Sequence, residues 1–321
     1  MFLSRMMRSI ALSVILPVLM LVFMGCASAT PNTDQLASLT NGESQGVEES
    51  HHPAYQGQPW DVLAEGLRGA YAMDMVPGQN RIFIIEQGRH RLLVLDLQGR
   101  RVDSLGVRGR SNYRFDRPSA IDATNGLQLY IADRNNARIQ LFDRRLSYLS
   151  TITPDSDRAG SNDFFRPGAV AVTAFGDVFA ADSDAGALLR FDQNGRLQQR
   201  TDLRDTELML PLRDLLVHDE SLFVLESGRG LVHELGSQGS WRRFISGTEG
   251  SRAMAADQGG LWVANETELV RFSWQGRELL RAPHLLEEAP VALGIHENML
   301  YLLTASKLFR INSAGWTSDG L

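Results

Sequence analysis

From about Tyr55 to Asn312 the chain is a succession of short apolar runs separated by turn residues, and inside each run the side chains alternate. The clearest unit is Asn112–Asp143, NYRFDRPSAIDATNGLQLYIADRNNARIQLFD. It predicts three strands: SAIDAT, LQLYIAD after the turn Asn125-Gly126, and RIQLFD after the turn around Asn135-Asn136. Asn-Gly is a strong two-residue hairpin signal because both central positions of a type I′ turn need φ > 0. Gln128, Tyr130 and Ala132 alternate with Leu129, Ile131 and Asp133, the period of a pleated strand. A meander of this size cannot bury its apolar faces alone, so copies of it are expected alongside.

The copies are marked by the polar residue closing each second strand: Glu86, Asp133, Asp182, Glu226, Asn265 and Thr304, at spacings of 47, 49, 44, 39 and 39 residues. The glycine turns after the third strands, at Gly99, Gly195, Gly239, Gly276 and Gly315, keep step with them. Six repeats of about 40 to 50 residues, each with several strands, predict an all-β, six-bladed β-propeller of four-stranded antiparallel blades. Fourth strands are supplied by RVDSLGV, LSYLSTI, LQQRTDL, WRRFI and RELLRA. The sixth unit has none before the chain ends, whereas WDVLA, Trp60–Ala64, reads as a fourth strand without a third before it. The N-terminal strand is therefore expected to complete the last blade, closing the ring and removing two open edges.

Arg117-Pro118 ahead of a strand, Gly126, the run to Asp133, Asn136 and RIQLFD resemble the NHL repeat, which builds six-bladed propellers. The third unit, RPGAVAV with FGDVFAADSDAGALLRFDQNGR, shares the pattern, and the likeness loosens over the other four. The resemblance implies the fold; it does not imply one function, since scaffolds, RNA binders, lyases and lactonases all occur on such propellers.

Residues 1–25 read as a signal peptide, with Arg5 and Arg8 before the apolar stretch from Ile10. Gly25 directly before Cys26, the single cysteine of the chain, resembles a bacterial lipoprotein signal, which implies acylation at Cys26. Acyl chains contribute about 0.8 kcal/mol per buried methylene, so several of them make a stable membrane anchor. Residues 26–58, rich in Ser, Thr, Asn, Gln, Gly and Glu, are expected to be a flexible tether. His51-His52 near its end is more simply solvated than metal-bound. Residues 59–321 form the propeller. Ala27 after the cysteine, where an Asp would imply inner-membrane retention, points to the outer membrane facing the periplasm if the cell has two membranes. Loss of residues 1–25 takes the formal charge from −6 to −8, and an acidic exported chain is a poor nucleic-acid binder.

In this connectivity the turns into first strands share a face with the turns between second and third strands. That face is expected to collect Arg117, Arg166, Arg213 and Arg252 with His90 and Asn136, and Tyr113, Phe115, Phe164 and Phe165 beside them either line the rim or pack between blades. Guanidinium presents a rigid fork to carboxylate or phosphate, so these residues are the candidate ligand site. The marker acids Glu86, Asp133, Asp182 and Glu226 fit equally well as acceptors for turn amides and arginines.

For zinc the face offers His90 and His284, too few ligands. No cofactor is expected; calcium held by the marker acids and Asn265 is the alternative, although second-strand ends lie away from the axis. Asp155–Gly160 begins like a calcium loop but carries Ala159 and Arg166 where ligands belong. There is no Gly-x-Ser-x-Gly and no Walker A loop. The sequence thus points to a monomeric, membrane-anchored binding or scaffolding propeller for an envelope protein, peptide or glycan. A metal-assisted hydrolase or lyase at the channel mouth is the alternative.

Overall fold

The computed structural model describes residues 59–154, 165–182, 184–203, 212–236, 239–314 and 316. The expectations for the signal peptide, Cys26, the tether with His51-His52, Asp155–Gly160 and Phe164 lie outside them.

The chain opens with β1 (Asp61–Ala64). Blade 1 follows as β2 (Ala70–Val76), β3 (Arg81–Glu86), β4 (Arg91–Leu95) and β5 (Arg101–Leu105). Blade 2 is β6 (Pro118–Asp122), β7 (Gln128–Asp133), β8 (Arg138–Asp143) and β9 (Tyr148–Ile152). Blade 3 is β10 (Pro167–Val172), β11 (Val178–Asp182), β12 (Ala187–Phe191) and β13 (Leu197–Asp202). Blade 4 is β14 (Leu212–His218), β15 (Ser221–Glu226), β16 (Leu231–Leu235) and β17 (Trp241–Ile245). Blade 5 is β18 (Ala253–Asp257), β19 (Gly260–Ala264), β20 (Glu268–Phe272) and β21 (Glu278–Pro283). Blade 6 is β22 (Ala292–His296), β23 (Met299–Leu303) and β24 (Leu308–Asn312). Each blade is a four-stranded antiparallel sheet, and the sixth has the order β1-β24-β23-β22. The N-terminal strand closes the ring as expected, with Asp61 opposite Arg310 and Val62 opposite Phe309. Trp60 secures that closure by donating its indole N–H to the His284 carbonyl at 2.8 Å.

The second strands explain why the sequence reads as near-continuous apolar runs rather than a half-polar alternation. Each is buried on both faces, because a blade has a neighbour on either side. In β3, Ile82 and Ile84 pack with blade 6, while Phe83 and Ile85 pack with blade 2. In β7, Leu129 and Ile131 face blade 1, and Tyr130 and Ala132 face blade 3. The period of two therefore distributes side chains between two separate cores. Six apolar clusters result, one between each pair of adjacent blades, including the pair joined by ring closure. Outer strands such as β5, with its exposed Arg101, Val102 and Asp103, end the burial. First strands run beside the axis and leave their remaining face to the channel.

Candidate functional site

The marker residues anchor the loops at the ends of the second strands. Glu86, Asp133, Asp182 and Glu226 are all at most 1 % exposed. Glu86 accepts the Arg68 backbone N–H at 2.9 Å, Asp133 that of Asp116 at 2.7 Å, and Asp182 that of Arg166 at 2.9 Å. Each of these bonds fastens a second-strand end to the loop entering the first strand of the same blade. Arg89 and Arg91 pair with Glu86, Arg138 with Asp133 and Arg229 with Glu226. In blades 5 and 6, Asn265 accepts the Thr267 and Glu268 N–H groups and Thr304 those of Ser306 and Lys307. These acids hold the loops of their own blades, and among the described residues no three His, Cys, Asp or Glu side chains are placed to share a metal ion.

Asn136 belongs to the same scaffold. Its amide donates to the Gly109 carbonyl and to Asp133, both at 2.8 Å. Of the aromatic residues of the expected rim, two pack between blades while Tyr113 stays exposed. Phe115 is fully buried, Phe165 nearly so, and Tyr113 packs against Phe142 and Tyr148. His284 is buried and accepts the Leu286 N–H, well away from His90.

Four of the six candidate ligand residues do meet. Arg117, Arg213, Arg252 and His90 line a cavity of about 790 Å³ at the channel mouth, together with Arg108, Tyr71, Gln87, Asn135 and Ser227. Among the described residues Asp116 is the single acid lining it, against four arginines. Arg166, by contrast, lies with Asp184 at 3.6 Å and lines neither this cavity nor the channel.

The arginines are held in different ways. Arg117 has a left-handed φ of 51° directly before Pro118, a conformation that costs a side-chain-bearing residue on the order of 1–3 kcal/mol. It persists because the Arg117 N–H donates to His90 Nδ1 at 3.1 Å and its guanidinium reaches Gln87 Oε1 at 3.4 Å. Arg166, the equivalent residue of the next blade, is outside that region. Arg213 stacks over the Tyr71 ring at 4.3 Å, and Arg252 pairs with Glu266 at 2.6 Å, a carboxylate that is itself 59 % exposed. Among the described residues neither Arg117 nor Arg213 has a carboxylate within salt-bridge distance.

Below the mouth the channel narrows to a cavity of about 310 Å³, and Arg213 and Arg252 line both. Here the structure adds residues that sequence reasoning missed: Asp74 on β2, Asp122 on β6 and Asp214 on β14. Each bridges adjacent inner strands by accepting a backbone N–H of the next first-strand segment: Ala123 for Asp74 at 2.5 Å, Val172 for Asp122 and Met254 for Asp214, both at 2.9 Å. Burial pushes Asp74 up to about 6 and Asp214 up to about 6, while burial and the neighbouring Asp74 push Asp122 up to about 7. Asp74 and Asp214 keep some accessible surface only because they face the channel; protein encloses them otherwise. The three thus exchange protons near neutrality, where ordinary aspartates are ionised.

No family model matches the chain, and no curated protein matches it in sequence. Solved structures match its fold. A catalytically inactive virginiamycin B lyase from Staphylococcus aureus, with a histidine-to-alanine substitution and with quinupristin, superposes with a TM-score of 0.58 at 12% identity, covering 80% of this chain and 85% of that one. A streptogramin B lyase gives 0.59 at 10% identity over 79% and 96%. A structural-genomics protein from Bacteroides thetaiotaomicron gives 0.57 at 14% identity over 79% and 72%. At such identities the likeness is one of fold: the chain is a six-bladed β-propeller with structural neighbours of the virginiamycin B lyase type.

Proposed function

We propose that the propeller is an NHL-like binding module that receives an anionic ligand, or an anionic group on an envelope partner, at the arginine-lined mouth. The observation that carries this reading is the pair Arg117 and Arg213: guanidinium groups in a large concave opening, without a salt-bridge partner among the described residues. Exposed arginines on a folded surface usually find carboxylates, and this chain supplies them for Arg138, Arg229 and Arg281. A rigid fork left over at a cavity is suited to carboxylate, sulfonate or phosphate. In this reading Cys26 carries the lipid, the chain from Cys26 to residue 58 is the tether, and the propeller stands off an outer membrane. Cys26→Ser is expected to release the protein into the soluble fraction.

The test is a fluorescence titration of the purified protein with naphthalenetrisulfonate, a trianion whose charge is constant around neutral pH. Arg117→Gln and Arg213→Gln are each expected to weaken binding about tenfold or more, since charge-assisted hydrogen bonds contribute roughly 1.5–3 kcal/mol. Both variants keep the parent circular dichroism spectrum. Unaltered binding in both places the site elsewhere.

The second reading, a hydrolase or lyase at the channel mouth, draws on two facts. Two structural neighbours are lyases, and carboxyls that titrate near neutrality suit acid–base chemistry. In its metal-assisted form the reading predicts one equivalent of bound metal and a melting temperature that falls on chelation. Elemental analysis with a melt before and after chelator separates the two.

A further inference from the structure

The mouth and the channel are one continuous space with opposite chemistry at its two levels. Arg213 and Arg252 form the boundary, with Asp214 next to Arg213 in the chain and Asp74 and Asp122 deeper. Asp74 and Asp122 sit at matching levels of neighbouring inner strands, opposite Phe83 and Tyr130, each three residues before its second-strand marker. Strands rise about 3.3 Å per residue, so Asp74 lies about 10 Å below Tyr71 at the mouth. Charge on the carboxyls is therefore felt where the anion would sit.

Resting on the binding reading above, we propose that the mouth takes up its anion together with protons that settle on the channel carboxyls, so that anion binding is proton-linked. The lining elements present few other charged groups to the three acids. Strand β2 brings Tyr71 and Asp74, β6 brings Asp122, and β14 brings Arg213, Asp214 and His218; Arg252 stands just before β18. The linings from β10 and β22 carry no titratable group, and Tyr130 of β7 interacts with Asp122 from behind. Three carboxyls thus face two arginines. When the acids are ionised they offset the arginines and repel an incoming anion; when they are protonated that offset is lifted, above all at Arg213.

The sign follows from linkage. An anion arriving at the mouth makes ionisation of the carboxyls less favourable and raises their proton affinity further. By reciprocity, protonation raises the affinity for the anion. Because these groups titrate at about 6 to 7, the effect falls between pH 6 and 8. Arginines alone would give no pH dependence in that range. An imidazole would, and His90 and His218 line this space.

The experiment is a titration of the full-length protein with naphthalenetrisulfonate from pH 5.5 to 8, paired with calorimetry in two buffers of different ionisation heat. Affinity is expected to rise about three- to thirtyfold from pH 8 to pH 6, with net proton uptake near pH 7. Asp74→Asn with Asp122→Asn is expected to flatten the slope, whereas His90→Gln with His218→Gln keeps the slope whatever its absolute affinity. Loss of the slope in the histidine variant, with retention in the aspartate variant, would overturn the proposal in favour of an imidazole. Binding that is intact and independent of pH would overturn it while leaving the mouth reading in place. Failure to bind at any pH removes both. Should the aspartate variant not fold, proton uptake by the histidine variant decides: uptake supports the channel carboxyls and its absence refutes them.

Discussion

The molecule carries two sets of buried carboxylates that look alike in composition and behave as opposites. Glu86, Asp133, Asp182 and Glu226 close the second strands of four successive blades, are sealed from water and rest against arginines or turn amides. Asp74, Asp122 and Asp214 belong to three first strands, face the channel and share it with Arg213 and Arg252. Repetition is the signature of the first set's task, because each of these acids ties its second-strand end to a neighbouring loop, through that loop's amides or its arginine. Asymmetry is the signature of the second, because a channel has one centre and a ligand breaks the sixfold pattern. The same contrast holds for the arginines. Arg138 and Arg229 serve blade acids, whereas among the described residues Arg117 and Arg213 serve none.

The comparison breaks most visibly at Asp133. Asp133→Ala leaves the Asp116 N–H, Asn136, Arg138 and the buried Gln140 without their shared acceptor. A loss of about 3–5 kcal/mol is expected, as for removing one partner of a buried pair. The melting temperature should fall by about 6–20 °C at 2–4 °C per kcal/mol for a domain of this size. A shift under about 2 °C would mean that these acids are not structural.

Asp122→Asn sharpens the contrast through pH. A carboxyl whose pKa is raised on folding contributes stability at low pH that is lost as pH rises from about 4 through about 7. His233 and His284, lowered by burial, act in the other direction and destabilise the fold as pH falls below about 6.5. The readout is therefore the difference between variant and parent. The Asn variant is expected to gain on the parent by about 1–2 kcal/mol between pH 5 and pH 8, less than the full shift because the coupled acids share it. A constant difference across that range would show Asp122 to be ionised throughout.

Smallest in stability are Arg117→Gln and Arg213→Gln, expected within about 1 kcal/mol of the parent, the cost of a lost exposed contact or a cation–π pair. Their effect belongs to binding. A large drop in melting temperature would move these arginines into the structural set and dissolve the contrast.

The fold was legible because its physics is local and repeated. Doubly buried second strands such as IFIIE and LYIAD give apolar runs, turns give glycine and asparagine, and a fourth strand without a third gives the closure by Asp61–Ala64. The mouth was legible in part, since topology alone brings Arg117, Arg213, Arg252 and His90 to one end. Asn136 and Arg166 sit apart from that group, Asn136 beside Asp133 and Arg166 beside Asp184. The channel acids were missed because Asp74 in AYAMDMV reads as the polar half of an ordinary alternation. A signal existed: Asp74 and Asp122 are separated by about one blade period, at the same register in two first strands. Reading it required knowing which face of a first strand meets the axis.

The central claim is that the unpaired arginines of the mouth hold an anion, and a crystal structure of the protein with bound naphthalenetrisulfonate tests it directly through the anomalous signal of the sulfonate sulfurs. The account predicts sulfurs within hydrogen-bonding reach of Arg117 and Arg213 at the mouth. Sulfurs confined to the opposite face or the outer strands, with the mouth unoccupied at saturating ligand, would contradict it.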